Sequence, residues 1–326
     1  MRVFVTGVTG TFGTAFTEHV LHDGLAERVV GFSRDEVKQQ TLALKLLGQH
    51  SDRLRLRLGD VRDFQRLCMA MDGCDTVVHA AALKIIAQGI SNPDEMMRTN
   101  VLGTENVLRA AQACGVERVL VLSSDKRVHP ANFYGNTKAM AEELAVMWNG
   151  YSYARKCRVG AVRYGNVFGS RGSVVHLFRE AAKARQPLPI TDTRMTRFSI
   201  TPSVAIRFVL QCLDLLRGGE VFVPHLASMR VMDLGAAVLG RESLQPADYR
   251  IIGIRAGEKI HEAMIAPEEA TRTVQQETFY VVEPPDLSWP RLPWSGPRLP
   301  DGWGLTSDRN REWLTVEDLA RQVGRL

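Results

Sequence analysis

No stretch of this 326-residue chain holds the roughly twenty consecutive apolar residues that a bilayer-spanning helix needs, so a membrane-spanning protein of that kind is not expected. Its first residues, RVFVTG, read as a strand rather than as a basic segment leading into an apolar one with a cleavage site, and no secretory leader is expected. Cysteine is sparse: Cys68, Cys74, Cys114, Cys157 and Cys212 are scattered and odd in number. That pattern excludes a small disulfide scaffold, and it lacks the close pairing of a thiolate metal site or a redox Cys-x-x-Cys. No metal centre is expected, and a reducing cytoplasm fits best. Internal repeats and low-complexity tracts are also missing. Lysine is the scarcest of the common charged residues, since arginine outnumbers it about four to one. The net charge of +5 and isoelectric point near 9.0 come from basic residues spread along the chain. With no basic stripe, a nucleic-acid partner is not expected, and a small anionic ligand accounts for the surplus.

What the chain does contain is a rhythm. RVFVT precedes FGTAFTEHVL, RVVGFS precedes DEVKQQTLALKLL, and RLRLGD precedes DFQRLCMAM. TVVHAA then leads into a long segment from Pro93 to Cys114, and RVLVLSS into YGNTKAMAEELAVMW. Short β-branched runs alternating with amphipathic segments predict an α/β fold with a Rossmann-type, doubly wound parallel sheet. A sixth strand is expected at Val159 to Tyr164, and a helix in SVVHLFREAAKA. Residues 1–187 are read as a dinucleotide-binding domain and 188–326 as mainly a smaller substrate-binding lobe with an interleaved boundary. Within that lobe a helix is expected around Val204 to Leu216, a strand at Glu220 to Val223 and a helix from Met232. The Pro- and Trp-rich stretch at 284–304 reads as an extended strap, and LTVEDLARQV as a closing helix capped by Thr315.

TGVTGTFG places Gly7, Gly10 and Gly13 between the first strand and the first helix. Such a loop suits a tight turn, close approach of backbone to a pyrophosphate, and close helix packing, with the helix N-terminus facing the phosphates. Thr9, Thr11 and Phe12 belong to the same cradle. After the second strand stand Ser33, Arg34 and, one helical turn on, Lys38. A hydroxyl, a guanidinium and an ammonium suit a 2′-phosphate, which favours NADP; Asp35 between them keeps NAD open. Asp60 and Val61 are candidates beside the adenine, and Ala80, Ala81 and Ala82 supply small side chains where backbone lies against a cofactor.

Tyr134 and Lys138 fall one turn apart at the start of a helix, on one face. An ammonium at Lys138 assists a phenol that exchanges a proton with a substrate hydroxyl as hydride leaves the same carbon. Ser124, at a strand end, joins them, and this set resembles that of extended short-chain dehydrogenase/reductases. Unusually, Ser124 is followed at once by Asp125 and Lys126, a second acid and amine, which suits elimination of water next to a transient ketone.

The runs SRDEVKQ, GDVRD, HAAALK, NPDEMMRTNVLGTENV, SSDK, YGNTK, RYGNVFGSRGSVV, ITDTRMTRFSIT and GIRAGEKIHEAMI, with the closing NREWLTVEDL, carry a wider resemblance. The chain is similar to the inverting UDP-N-acetylglucosamine 4,6-dehydratases that begin pseudaminic acid and related pathways, and to the polysaccharide-biosynthesis dehydratases around them. The resemblance implies that Ser124 and Tyr134 bind and deprotonate the 4-hydroxyl while hydride passes from C4 to NADP+. It further implies that Lys126 takes the C5 proton and Asp125 protonates the departing 6-hydroxyl. Hydride then returns to C6 and a proton to the opposite face of C5. Asn166, Arg171, Arg197, Arg255 and Glu258 resemble the family's contacts to the UDP-sugar, and Lys84 is a candidate to meet the substrate. A homo-oligomer, dimer or hexamer, is implied by the same likeness. Two positions depart from the pattern: Ser124 replaces the commoner threonine, and Ile85 to Gly89 replace a histidine–valine continuation in a loop expected to flank the sugar. Two alternatives stand beside this reading. One is a nucleotide-sugar epimerase, which needs no second acid–base pair; the other is a non-catalytic NADP- or RNA-binding relative, which would have no need of Ser124, Tyr134 and Lys138.

Overall fold

The computed structural model describes all residues of the chain except 51, 153–155 and 286–288. Six strands, β1 (Arg2–Thr6), β2 (Arg28–Ser33), β3 (Leu54–Leu58), β4 (Thr76–His79), β5 (Arg118–Leu122) and β6 (Arg158–Val162), pair in parallel in the spatial order β3-β2-β1-β4-β5-β6. β1, β4 and β5 are Val- and Leu-rich and buried on both faces, as helices on each side of a parallel sheet require. The edge strand β3 alternates leucine with Arg55 and Arg57, and charge on an edge discourages pairing with another chain. The order reverses at β1, which lies between β2 and β4, so a crevice opens at the carboxyl ends of β1 and β4.

The chain beyond residue 187 returns to this sheet. Val221–Pro224 pairs in parallel with β6, and Phe279–Val282 and Thr273–Gln275 follow antiparallel. A separate apolar cluster joins Phe168, Phe178, Ile190, Met229, Leu234 and Leu319 and forms the heart of a smaller lobe. Short strands tie that lobe together, among them Thr196–Ile200 between Asn166–Val167 and Ser228–Arg230. The expected helices are present at Val174–Lys183, Pro202–Leu215 and Val231–Leu239. The closing helix Val316–Val323 starts on a reciprocal cap between Thr315 and Asp318. In the Pro- and Trp-rich strap, apart from residues 286–288, which lie outside the described residues, Trp289 donates to the Gly218 carbonyl at 3.2 Å. Trp294 is buried against the rings of Phe222 and Phe279, with the Arg217 guanidinium 4.0 Å above it. No helix among the described residues is long and apolar enough to cross a membrane.

Two segments differ from expectation. Pro93 to Cys114 is not one regular helix: Pro93–Met97 and Gly103–Ala113 flank a π-helical turn, Arg98–Leu102. The wider turn presents Asn100, which accepts from the Leu83 amide (2.8 Å) and donates to the Leu83 carbonyl (2.9 Å) and to Thr137 (3.0 Å). Such wide turns occur as single-turn insertions in α-helices and are not announced by hydrophobic periodicity. Residues 85–89, expected as a loop, instead lead into a short helix, Ile86–Ser91.

At the junction of sheet and lobe lies Arg163, just past β6 and fully buried. Its guanidinium donates to Glu142 (2.6 and 3.2 Å), to Glu269 (2.8 and 2.9 Å) and to the Met264 carbonyl (2.6 Å). Arg127 meets the same two carboxylates at 2.8 and 3.2 Å. Burial alone would raise the Glu269 pKa, but Arg163 and Arg127 outweigh it and bring it down to about 2. Removing one partner of a buried ion pair leaves uncompensated charge. Arg163→Met is therefore expected to lower unfolding stability by about 3–5 kcal/mol in urea titrations; a loss below about 1 kcal/mol would show that the network is not a structural tie.

Candidate active site

The first turn of the site is set by glycines. Gly7 adopts a positive φ of 66°, and a Cβ there would lie 2.9 Å from the Ala81 nitrogen, so only glycine fits between β1 and β4. A Cβ on Gly13 would come within 2.3 Å of the Gly7 carbonyl oxygen, which explains how the first helix, α1 (Thr11–His22), packs so close to the loop. Gly10 is the N-cap of α1 and has no side chain to cover the helix's leading amides, which therefore face the crevice. Across it, Thr6 Oγ1 accepts from the amides of Ala80 (3.1 Å) and Ala81 (3.2 Å) and so donates to His79 Nδ1 (2.7 Å). His79 Nε2 faces the Thr104 hydroxyl at 3.0 Å. Burial, with Lys138 adding to it, holds His79 neutral with a pKa of about 3, so it acts as a brace for the alanine strip.

A cavity of about 710 Å³ runs from this glycine cradle to Arg255 and Glu258. Its wall includes Gly7, Gly10, Thr11, Phe12, Gly13, Ala80 and Ala82, together with Lys84, Asn166, Arg171, Arg255 and Glu258. Ser124, Asp125, Lys126, Tyr134 and Lys138 line the same cavity. A bare helix N-terminus, a glycine turn that any Cβ would block and an alanine strip fit a dinucleotide.

The central group is positioned by two short elements. Ser124 ends the extended run after β5 and caps a 3-10 turn, Asp125–Arg127. Asn132 caps the helix Phe133–Met147 by accepting from the Gly135 amide at 2.8 Å, which places Tyr134 and Lys138 in its first turns. Gly135 lets the two elements meet, because a Cβ there would lie 2.4 Å from the Lys126 carbonyl oxygen. Asn132 also donates to the Gly257 carbonyl (2.8 Å), which ties the Arg255–Glu258 loop to the helix start.

Burial raises the Tyr134 pKa above that of an ordinary phenol, while Lys126 and Ser124 pull it back. Lys138 is buried and donates to the Leu122 carbonyl. Burial lowers its pKa to about 8, against the pull of Glu142. The Ser124 hydroxyl donates to Asp125 Oδ1 (2.8 Å), and Lys126 Nζ donates to the same oxygen (3.0 Å). Burial keeps the Asp125 carboxyl above the usual range despite Lys126, as a proton donor requires. For Lys126 burial works against the charge, but Asp125 and Glu262 outweigh it and hold the ammonium protonated. An amine so held must first lose a proton to serve as a base.

Thr9, Ser33, Arg34, Lys38, Asp60, Val61, Ala81 and Arg197 are not among the residues of the cavity wall. Ser33 is buried and accepts from Gln39 Nε2 (3.0 Å). Arg34 reaches Asp60 at 3.3 Å, and the Lys38 ammonium pairs with Asp35. Val61 packs against Gly103. Thr9 offers its carbonyl to Arg171 (2.8 Å), so this arginine clasps the glycine loop as well as lining the cavity. Arg197, expected at a phosphate, donates to the carbonyls of Thr196 (2.7 Å), Ile260 (2.9 Å) and Lys259 (3.0 Å). Arg255 and Glu258 face each other at 3.8 Å, Asn166 Oδ1 is buried without a hydrogen-bond partner, and burial beside Arg171 and Lys126 lowers the Lys84 pKa. Sequence reasoning missed Gln39, Asn100, Gly135 and Glu262. All four lie inside runs that carry the family resemblance, SRDEVKQ, NPDEMMRTNVLGTENV, YGNTK and GIRAGEKIHEAMI, and that membership was the available signal.

A family model described as polysaccharide biosynthesis protein matches residues 3–284. The UDP-N-acetylglucosamine 4,6-dehydratase (inverting) of Campylobacter jejuni strain 81-176 is 38% identical, over 98% of this chain and 96% of its own. The UDP-glucose 4-epimerase of Rickettsia bellii strain RML369-C is 36% identical over 85% of this chain and 81% of its own. Pen from Bacillus thuringiensis, solved by X-ray crystallography, matches with a TM-score of 0.88 and 29% identity, covering 100% of this chain and 97% of that one. With a family model along most of its length and a relative this similar across nearly all of it, the chain belongs to the polysaccharide biosynthesis protein family of extended short-chain dehydrogenase/reductases.

Proposed function

We propose that the chain is a nucleotide-sugar 4,6-dehydratase acting on UDP-N-acetylglucosamine, with inversion at C5, and that it yields a UDP-4-keto-6-deoxy-amino sugar. The observation that carries this reading is the second acid–base pair: Asp125 and Lys126 share a cavity with Ser124, Tyr134 and Lys138. A nicotinamide dinucleotide held by Gly7, Gly10, Gly13 and the α1 N-terminus would supply the hydride acceptor for C4 and the donor for C6. Tyr134 accepts the proton of the 4-hydroxyl, oriented by Ser124 and assisted by the Lys138 ammonium. The resulting 4-keto group acidifies C5, whose proton goes to Lys126. Asp125 protonates the 6-hydroxyl, which departs as water. A proton arriving on the opposite face of C5 then gives inversion.

The name of the Campylobacter relative supports this substrate and outcome. NADP is the cofactor on the reading of Arg34 and Lys38, whose present partners Asp60 and Asp35 would yield to a 2′-phosphate; NAD is the alternative. Asn166, Arg171 and Arg255 are the proposed contacts to the UDP-sugar, with Glu258 for its ribose and Lys84 beside the sugar. Arg197 is assigned to this group only through the Ile260 and Lys259 backbone that it holds. A cytoplasmic location belongs to the same reading. So does a homo-oligomer paired through the helices that expose Leu102, Met140 and Met147.

The Rickettsia relative favours a second reading, epimerisation at C4, which would leave Asp125 and Lys126 idle. Mass spectrometry of the product separates the two: the dehydratase converts UDP-N-acetylglucosamine to a product lighter by one water, whereas an unchanged mass with an altered C4 configuration would replace this reading with the epimerase. Tyr134→Phe is expected to lower kcat by about 10²–10⁴-fold, since it removes the first proton transfer. Lys126→Met should still bind sugar and cofactor yet lose solvent-deuterium exchange at C5; exchange at the parent rate would remove Lys126 from the base role.

A further inference from the structure

Lys126 does not face Asp125 alone. Glu262, just before the short strand Ala263–Ile265, which contacts the 3-10 turn, is 3% exposed and brings Oε1 to 3.4 Å from Lys126 Nζ. The same carboxylate is shared. Lys259 Nζ lies 3.1 Å from Oε2 and also donates to the Val128 carbonyl at 2.9 Å, while Arg197 Nε lies 3.9 Å from Oε1. Three cations thus converge on one buried carboxylate, and the charge on Lys126 depends on how much of it the other two claim. Also facing Lys126 are Asp125 on its own turn, Tyr134 on the catalytic helix and Lys84 across the cavity. The backbone holds Glu262 rigidly, since its amide donates to Ser307 Oγ at 3.0 Å and the Arg197 guanidinium grips the Lys259 and Ile260 carbonyls just before it.

We propose that Glu262 is a positioning residue for Lys126: reaching in from far along the chain, it holds the ammonium beside Asp125 and, in competition with Lys259, sets whether Lys126 carries a proton. The inference deepens the dehydratase reading and rests on Lys126 as its C5 base. Physical support comes from the pull of Asp125 and Glu262, which outweighs the burial of Lys126, and from the depressed pKa of Glu262, where its three cations outweigh burial. A carboxylate so held stays charged and does not itself take the proton; it governs the neighbour that does.

The inference gives opposite signs for two variants. Removing the carboxylate in Glu262→Gln lowers the proton affinity of Lys126, and removing the competing ammonium in Lys259→Met raises it. Competitive acetylation of the folded protein across the alkaline pH range, with Lys126 followed by peptide mass spectrometry, reads that affinity without any turnover. Relative to the parent, the onset of labelling is expected about one pH unit or more lower in Glu262→Gln and higher in Lys259→Met, with Glu262→Asp close to the parent. The ascending limb of the C5 exchange rate against pH should move in the same two directions. A purely structural role would scale the rate at every pH and leave both onsets in place; unchanged onsets, or shifts of the same sign in both variants, would overturn the inference. Should Glu262→Gln fail to fold, Lys259→Met alone decides: an onset that does not rise sinks the proposal. If Lys126→Met exchanges C5 normally while the labelling onsets shift as expected, the base assignment fails and the Glu262–Lys126 coupling stands.

Discussion

The buried guanidinium of Arg163 is the constraint on which the rest of the molecule turns. It stands one residue past β6, yet its five donors are divided among Glu142 on the helix Phe133–Met147, Glu269 in the 3-10 turn Pro267–Arg272 and the Met264 carbonyl. Arg127, in the turn that carries Asp125 and Lys126, binds the same carboxylates. One network therefore fixes the sheet, that helix, the Asp125–Arg127 turn and the Pro267–Arg272 turn relative to one another. Apolar packing could join these layers, but it is non-directional; a forked guanidinium with two carboxylates specifies distance and orientation together. Glu142 has a second effect, since it opposes the burial that draws the Lys138 pKa down to about 8.

The candidate site built on this frame contains two titratable pairs with different electrostatics. Tyr134 and Lys138 lie deep beside β5, where burial dominates and the lysine has lost part of its affinity for the proton. Asp125 and Lys126 lie one turn away, where each stabilises the other and Glu262 adds a further negative charge. The same residue type is thus driven in opposite directions within one cavity: the Lys138 pKa falls and the Lys126 pKa rises. Arginine could hold neither role, because its charge is effectively permanent.

Much of this was legible along the chain. The alternation of β-branched runs with amphipathic segments gave the parallel sheet, because a strand buried on both faces must be apolar throughout. Gly7, Gly10 and Gly13 stood out because the turn between β1 and α1 tolerates no Cβ at two of them. Tyr134 and Lys138 were visible as a helical pair, and Asp125 with Lys126 as neighbours in sequence. The π turn at Arg98–Leu102 was not visible, since hydrophobic periodicity does not announce it, and Asn100 meets Leu83 and Thr137 from other segments. Nor could any local pattern show that Arg197 turns to the Ile260 and Lys259 carbonyls.

By itself, then, the sequence determined what depends on short spacing: the order of strands and helices, the glycine turn, the cap at Thr315, and the placing of Lys126 and Lys138 close to Asp125 and Tyr134. Tertiary structure alone decided the charge each lysine carries and the partners each arginine keeps. The physical reason is the reach of electrostatics in a buried site. A pKa is set by burial and by every charge within several ångströms, and beside the nearer Asp125 and Glu142, Lys126 and Arg163 each meet a carboxylate from more than a hundred residues further along the chain, Glu262 and Glu269.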